Sequence, residues 1–217
     1  NWWDWGYVPQ GTEGNFGVIH HGIRGYSSPL YSSGWSFNVP TQDLVDAFAA
    51  GDKRKDVAVL DIEAWATSTG AKYTTGYEHT GYFNNKYIPR AGESQAQQEL
   101  NYETNYRAIR YADVLLMAAE ANNRASSPNV SKAQNYLNQV RARAYGNSSN
   151  ASSSTGTTLT QEIWDERRLE LAGEGSRFFD LVRTGQAASV ISGFVAGKHE
   201  LFPIPQTEID VSNLTQN

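Results

Sequence analysis

The sequence predicts a mainly α-helical fold with irregular loops and a few short strands. Three observations carry that reading. Apolar residues recur at helical spacing through residues 105–145, interrupted once by SSPNV (126–130). Before about residue 100 the chain is instead rich in Gly, Tyr, Trp and Asn at irregular spacing, which reads as loops and short strands. A single β-branched run, DVAVLDI (56–62), reads as a strand. At 217 residues the chain can bury a sizeable core. One domain over residues 1–217 is expected, with an aromatic-rich irregular region (1–104), a helical region (105–192) and an extended C-terminal segment (193–217).

The elements follow in order. In the first region one helix is expected, with Thr41 as N-cap, Asp43 in the first turn, Leu44, Val45 and Phe48 on its face and Gly51 as stop. A helical hairpin follows. In NYRAIRYADVLLMAAEANNRA (105–125), Ala108, Tyr111, Leu115 and Ala118 stack with Ile109, Ala112, Leu116 and Ala119 as a broad apolar stripe. Val114 and Met117 lie off it, so the middle of this helix is apolar nearly all round and should be buried among other helices. Its partner runs from Ser131 as N-cap, through Ala133, Tyr136, Leu137, Val140 and Ala144, to Gly146. The pair resembles one tetratricopeptide unit, which cannot bury its faces alone. GNSSNASSSTGTT (146–158) is polar and low in complexity and reads as a flexible surface loop. Thr160 then caps a third helix that Gly173 and Gly175 break. A short helix with Phe178, Phe179, Leu181 and Val182 ends at Gly185. The tail should be a strand at Leu201 and Phe202, then a proline-rigid segment.

Composition excludes several classes of function. The net charge is -5 and no basic stripe appears, so the phosphate neutralisation that nucleic-acid binding needs is missing. The absence of cysteine removes disulfides, thiolate nucleophiles and zinc–thiolate sites together. The longest apolar run is only a few residues, too short to span a bilayer. The chain opens on Asn1-Trp2-Trp3 without Met or a signal peptide, and a mature fragment of something longer is expected.

IWDERRLELAGEGSRFFDLVRTG (163–185) is the densest cluster of carboxylates and the first candidate for catalysis. Glu166 and Glu170 are one helical turn apart and can point the same way, which makes them the pair to weigh for glycoside hydrolysis. Arg167 and Arg168 lie beside them, and Arg177 and Arg183 follow. Cations hold carboxylates ionised, which disqualifies a general acid at neutral pH and suits a salt-bridge network. Arg167 shares a face with Ile163, Trp164 and Leu171, so its guanidinium should be partly buried and paired. Scaffold is the favoured reading, and no catalytic residue is assigned.

This motif also resembles a family. ERRLELAGEGSRFFDLVRTG (166–185) is similar to the signature of SusD/RagB-like outer-membrane glycan-binding lipoproteins. YRAIRYADVLLMAAEA (106–121), VPTQDLVDAFAAGDKRKDV (39–57) and the C-terminal GKHELFPIPQTEID (197–210) with NLTQN match further blocks of that family in order. The resemblance implies a SusD-like fold, with a tetratricopeptide-like helix pair packed on an aromatic-rich irregular region. It implies a non-catalytic protein without a cofactor on the extracellular face of the cell outer membrane, held by an N-terminal lipid anchor absent from this chain. Its partners would be an oligosaccharide or polysaccharide and a SusC-like TonB-dependent transporter that takes up the carbohydrate. The family fold is roughly twice this length, so the chain should correspond to its C-terminal portion. A glycoside hydrolase fragment and a tetratricopeptide-type protein-interaction module are the alternatives.

A sugar ring has apolar C–H faces that stack on aromatic side chains, with hydroxyls at the rim for polar groups. NWWDWGY (1–7) supplies Trp2, Trp3, Trp5 and Tyr7, and GYSSPLYSSGW (25–35) supplies Tyr31 and Trp35. These six are the expected ligand-binding residues. Trp2, Trp3 and Trp5 cannot all face one way in a regular element, so at least one should be core. His20 and His21 are adjacent and would diverge in a strand, and His79 and His199 are isolated, so no metal site is expected. Asp61 and Glu63 share one side of the expected strand, but no EF-hand-like spacing supports calcium there.

Overall fold

The structure is a computed structural model that describes residues 17–76, 78–93, 102, 104–212 and 214–216. It is mostly helical. In chain order the elements are α1 (Gly17–His20), α2 (Gln42–Ala47), α3 (Arg54–Ala58), β1 (Val59–Asp61), α4 (Ile62–Thr69), β2 (Tyr82–Asn84), α5 (Tyr111–Arg124), α6 (Val130–Tyr145), α7 (Gly156–Glu170), α8 (Arg177–Arg183), α9 (Ala187–Val190) and α10 (Gln206–Ser212). The chain divides into two compact units, Asn1–Glu174 and Gly175–Asn217.

The largest core of the first unit is all-helical. Ala112, Leu115, Leu116 and Ala119 of α5 meet Ala133, Leu137 and Val140 of α6 and Leu159 and Ile163 of α7. The partner that the helix pair lacks in sequence is thus α7. The expected stripe on α5 is half right. Tyr111 is 73% exposed, and Val114 and Met117 are also exposed. Neighbours cover only the face centred on Leu116, and a helix apolar all round does not reveal which half that is. The helix also begins at Tyr111, later than the periodicity implies, and Ile109 stays exposed. The reason is Arg110, held in extended backbone (φ -119°, ψ 155°) while its side chain engages acids of another segment. Asn123 is buried on α5 and donates to Gly156 O (2.7 Å) and Thr160 Oγ1 (2.8 Å), tying down the start of α7.

Several boundaries differ from expectation for local reasons. Asn129, rather than Ser131, caps α6 by accepting from Lys132 N, while Gly146 ends it in the left-handed region as expected. α7 starts before Thr160, whose hydroxyl bonds back to Gly156 O instead of capping. The polar loop before it is laced to α6. Asn138 exchanges two hydrogen bonds with Ser152, and Gln134 donates to Ser154 O. Thr41 caps α2 through Leu44 N, but the helix stops at Ala47. Asp52 turns the start of the expected strand into helix: its Oδ1 accepts from Arg54 N, so residues 54–58 coil and only Val59–Asp61 extends.

β1 and β2 pair antiparallel, Leu60 opposite Phe83. Leu60, Ile62 and Phe83 join Ile23, Tyr26, Tyr31 and Ile88 in a second core, and Val45, Phe48, Ala58, Val59 and Ala172 form a third. Asp61 spends its carboxylate as the N-cap of α4. In the second unit Leu201 and Phe202 are exposed and unladdered, which corrects the expected strand. The residues beyond Pro205 form α10, because the Pro205 carbonyl accepts from Glu208 and Ile209 and the ring presets a helical φ. Gln216 closes that segment with two hydrogen bonds to Ile204.

The charged stretch at the end of α7 is the tie of the first unit. Glu170 is 3% exposed and accepts from Arg143 (2.5 Å), Arg110 (2.8 Å) and Arg54 (3.3 Å). Glu166 takes Arg54 (2.6 Å) and Arg141 (2.9 Å), and Glu174 takes Lys86 (2.6 Å) and Arg110 (2.7 Å). Arg167 is buried against Asp113 at 2.5 Å, as its place on the apolar face requires. Arg168 reaches Asp43. One turn on, Gly173 adopts φ +76°, and a Cβ there would lie 2.6 Å from the Asn84 amide nitrogen. Asn84 is 1% exposed and donates to Gly173 O at 2.8 Å.

Two outcomes follow from this geometry. Gly173→Ala combines a left-handed backbone with a clash against a buried amide, so denaturant unfolding should show a loss of about 2–3 kcal/mol. Burial alone would raise the Glu170 pKa, but hydrogen bonds and charge from Arg143 and Arg110 outweigh it and hold the group below its ordinary value. A carboxylate depressed in the folded state stabilises fully above its unfolded value, about 4.3, and that stability is lost as pH falls through the folded value. Glu170→Gln should therefore flatten the acid limb of a stability–pH curve below about pH 4. At neutral pH it should cost about 3–5 kcal/mol, by leaving buried guanidinium groups short of a partner.

Candidate functional site

The first unit carries a row of aromatic rings built on His20, the last residue of α1, and the adjacent His21. Residues 35–37 are pinned to that helix by backbone bonds from Trp35 N to Ile19 O (3.0 Å), Ser36 N to Gly22 O (2.8 Å) and Phe37 N to His20 O (2.7 Å). The approach needs two glycines: a Cβ on Gly34 would lie 2.3 Å from the Gly22 Cα. Ser36 (φ 60°), between Trp35 and Phe37, turns the chain in the left-handed region, as does Asn38 (φ 52°) after them. Trp35 meets the His20 ring edge-on at 4.8 Å, and Phe37 lies 6.0 Å away. His21 continues the row to Tyr87 (5.7 Å), which stacks on Tyr106 at 6.1 Å. The row mixes buried supports with open faces. Tyr87 is 3% exposed, whereas Phe37 is 55% and Tyr106 64% exposed, and Trp35 is half-buried.

His21 locks the row to the scaffold as a neutral ring. Its Nδ1 lies 2.9 Å from Gly17 O, and its Nε2 accepts from Asn38 Nδ2 at 3.0 Å. Asn38 also donates to Gly173 O. Burial depresses the His21 pKa more than the Gly17 carbonyl raises it, so the ring stays neutral at pH 7 and keeps its acceptor for Asn38.

Beside the row opens a cleft of about 630 Å³, within the range of small-ligand sites. Its floor is the ion network: Arg54, Lys86, Arg110 and Arg143 with Glu170 and Glu174. Arg107 belongs to both features, lining the cleft while its guanidinium sits 5.9 Å above the Tyr87 ring. Arg90 likewise lines the cleft and covers the Tyr31 ring at 5.7 Å.

The six residues expected to bind ligand fall as follows. Trp2, Trp3, Trp5 and Tyr7 lie outside the described residues. Trp35 is in the row. Tyr31 is 6% exposed, enclosed by Tyr26, Trp65 and Arg90, so it belongs to the second core and offers no open face. His79 packs between Tyr73 and Phe83, and His199 against Phe194 in the second unit. No group of three His, Asp or Glu able to hold a metal occurs among the described residues, and none of their helices is long and apolar enough to cross a membrane. Sequence reasoning missed Phe37, Tyr87, Tyr106 and the cleft. No local motif marks them: Tyr87 and Arg90 are close in the chain, but Arg90 lies over Tyr31 and Arg107 over Tyr87.

The SusD family profile matches residues 60–199. SusD-like protein P2 of Formosa agariphila is 33% identical over 219 residues, covering 90% of this chain and 42% of the relative. Among solved structures, a laminarin binding SusD-like protein has a TM-score of 0.80 at 41% identity, over 95% of this chain and 44% of that one. Surface glycan-binding protein A from Bacteroides thetaiotaomicron in complex with laminarihexaose has a TM-score of 0.78 at 30% identity, over 92% of this chain and 46% of that one. The chain thus spans less than half the length of these relatives. The matched residues take in the helical core, the arginine-rich motif and the ion network apart from Arg54 and Asp52, and the chain belongs to the SusD family.

Proposed function

We propose that this protein binds oligosaccharide at the bacterial cell surface, on the outer face of the outer membrane, without cleaving it. The observation that carries the reading is the aromatic row: open faces at Trp35, Phe37 and Tyr106 on a scaffold of buried rings, in a chain whose similar structures include a laminarin binding protein and a laminarihexaose complex. Rings packed against one another on a rigid support present apolar area with little ordering cost, which suits the C–H faces of a sugar chain. Ligand contacts among Trp2, Trp3, Trp5 and Tyr7, expected from the sequence, are part of the same proposal.

A binding role fits the carboxylates better than catalysis. Glu166 and Glu170 accept from arginines on both sides and are almost fully buried, so neither is placed to donate a proton to a glycosidic oxygen. The bound sugar is handed to a SusC-like TonB-dependent transporter, with the protein held at the membrane by an N-terminal lipid anchor.

Calorimetric titration with laminarihexaose tests the reading. Trp35→Ala and Tyr106→Ala should each weaken binding about tenfold, the loss of roughly 1.4 kcal/mol of stacking. Unchanged affinity in both would move the platform to the N-terminal aromatics. Chromatography of the incubated oligosaccharide should show no shorter products, and turnover would replace the binding role by an enzymatic one. Co-purification of the full-length protein with an outer-membrane transporter checks the delivery step.

A further inference from the structure

We propose that the cleft beside the aromatic row is an anion subsite, and that the preferred saccharide carries an acidic substituent, a sulfate or a carboxylate, seated there. This deepens the oligosaccharide-binding reading and rests on it.

The charge balance of the cleft carries the inference. On the floor, each cation is matched: Arg54, Lys86, Arg110 and Arg143 all contact Glu166, Glu170 or Glu174. Nearer solvent, Lys53, Arg90 and Arg107 also line the cleft and are exposed, and none makes an ion pair among the described residues. Asp56 is the one further carboxylate on the lining. A protein whose net charge is -5 therefore concentrates unmatched positive charge in its cleft.

Two of the three cations are also held in place. Arg90 and Arg107 lie over the Tyr31 and Tyr87 rings, at 5.7 and 5.9 Å, which orders the guanidinium plane and leaves its N–H edge for an oxyanion. Planar donors of this kind match sulfate and carboxylate oxygens. Arg107 fixes the relation between the two features. A sugar stacked on Tyr106, whose ring lies on Tyr87, would present a substituent to the cleft wall that Arg107 lines. The saccharide assignment is favoured over an acidic peptide because the cleft adjoins aromatic faces rather than an open strand edge.

The test compares laminarihexaose with the same hexaose bearing sulfate esters, by calorimetry on the chain as it stands. The sulfated ligand should bind about tenfold more tightly at roughly 0.02 M salt, with the advantage shrinking at about 0.5 M. In the Lys53→Gln/Arg90→Gln double variant the ratio of the two affinities should collapse toward one. Both side chains are exposed and free of ion pairs among the described residues, and an unchanged melting temperature certifies the fold. Equal affinity for both ligands in the parent protein overturns the anion subsite and leaves the oligosaccharide reading standing. Binding of neither removes that reading and the substrate class with it. A sulfate advantage that survives the double variant places the anion elsewhere and overturns the assignment. Binding of an oligoglutamate peptide with no binding of the sulfated hexaose overturns the saccharide class.

Discussion

Glu170 draws on three arginines from three places in the chain: Arg54 on α3, Arg110 ahead of α5 and Arg143 on α6. A carboxylate with 3% of its side chain exposed is tenable only when such partners surround it, because desolvating one ion costs several kcal/mol. The converse holds for the arginines, which need the acid as much as it needs them. α3, the segment before α5, and α6 are thereby fixed to the end of α7. Lys86, just after β2, donates to the Glu170 carbonyl at 2.8 Å and brings in the sheet. The hydrophobic cores supply the driving force for folding. This cluster decides which surfaces meet.

The same tie reaches the proposed binding surface through one glycine. The Gly173 carbonyl accepts from Asn84, at the end of β2, and from Asn38, which also holds His21. The row of rings is positioned by that chain of hydrogen bonds from the end of α7, not by loop propensity. Asn38 in the left-handed region and the Gly22–Gly34 contact are the local strains that let the row form. Such strain persists where surrounding structure over-determines it.

The charged motif shows how far residue types alone can be read. Its arginines predicted a salt-bridge network around the carboxylates, and a network forms, but the motif's own Arg167 and Arg168 pair with Asp113 and Asp43 rather than with Glu166 and Glu170. The partners of Glu166 and Glu170 were not legible, because Arg54, Arg110 and Arg143 lie far away in sequence and look like ordinary surface cations. α5 shows the complementary failure. Its apolar residues wrap the helix, so periodicity cannot say that Leu116 faces in and Tyr111 faces out. Asp52 shows a third kind: its carboxylate accepts from Arg54 N, and the first three residues of the expected strand, 56–58, coil into α3.

By itself the sequence determined the helices α5 to α8, the scaffold role of the arginine-rich motif and the family resemblance. Each of these depends on local spacing or on residue chemistry, which do not need a partner to be read. Tertiary structure alone decided that α7 completes the helical core, that Tyr31 is buried while Trp35 and Tyr106 offer open surface, and that Arg90 and Arg107 stand over rings beside a cleft. Those outcomes depend on which distant groups come together, and a carboxylate that must find three guanidinium groups before it can be buried leaves that choice to the fold.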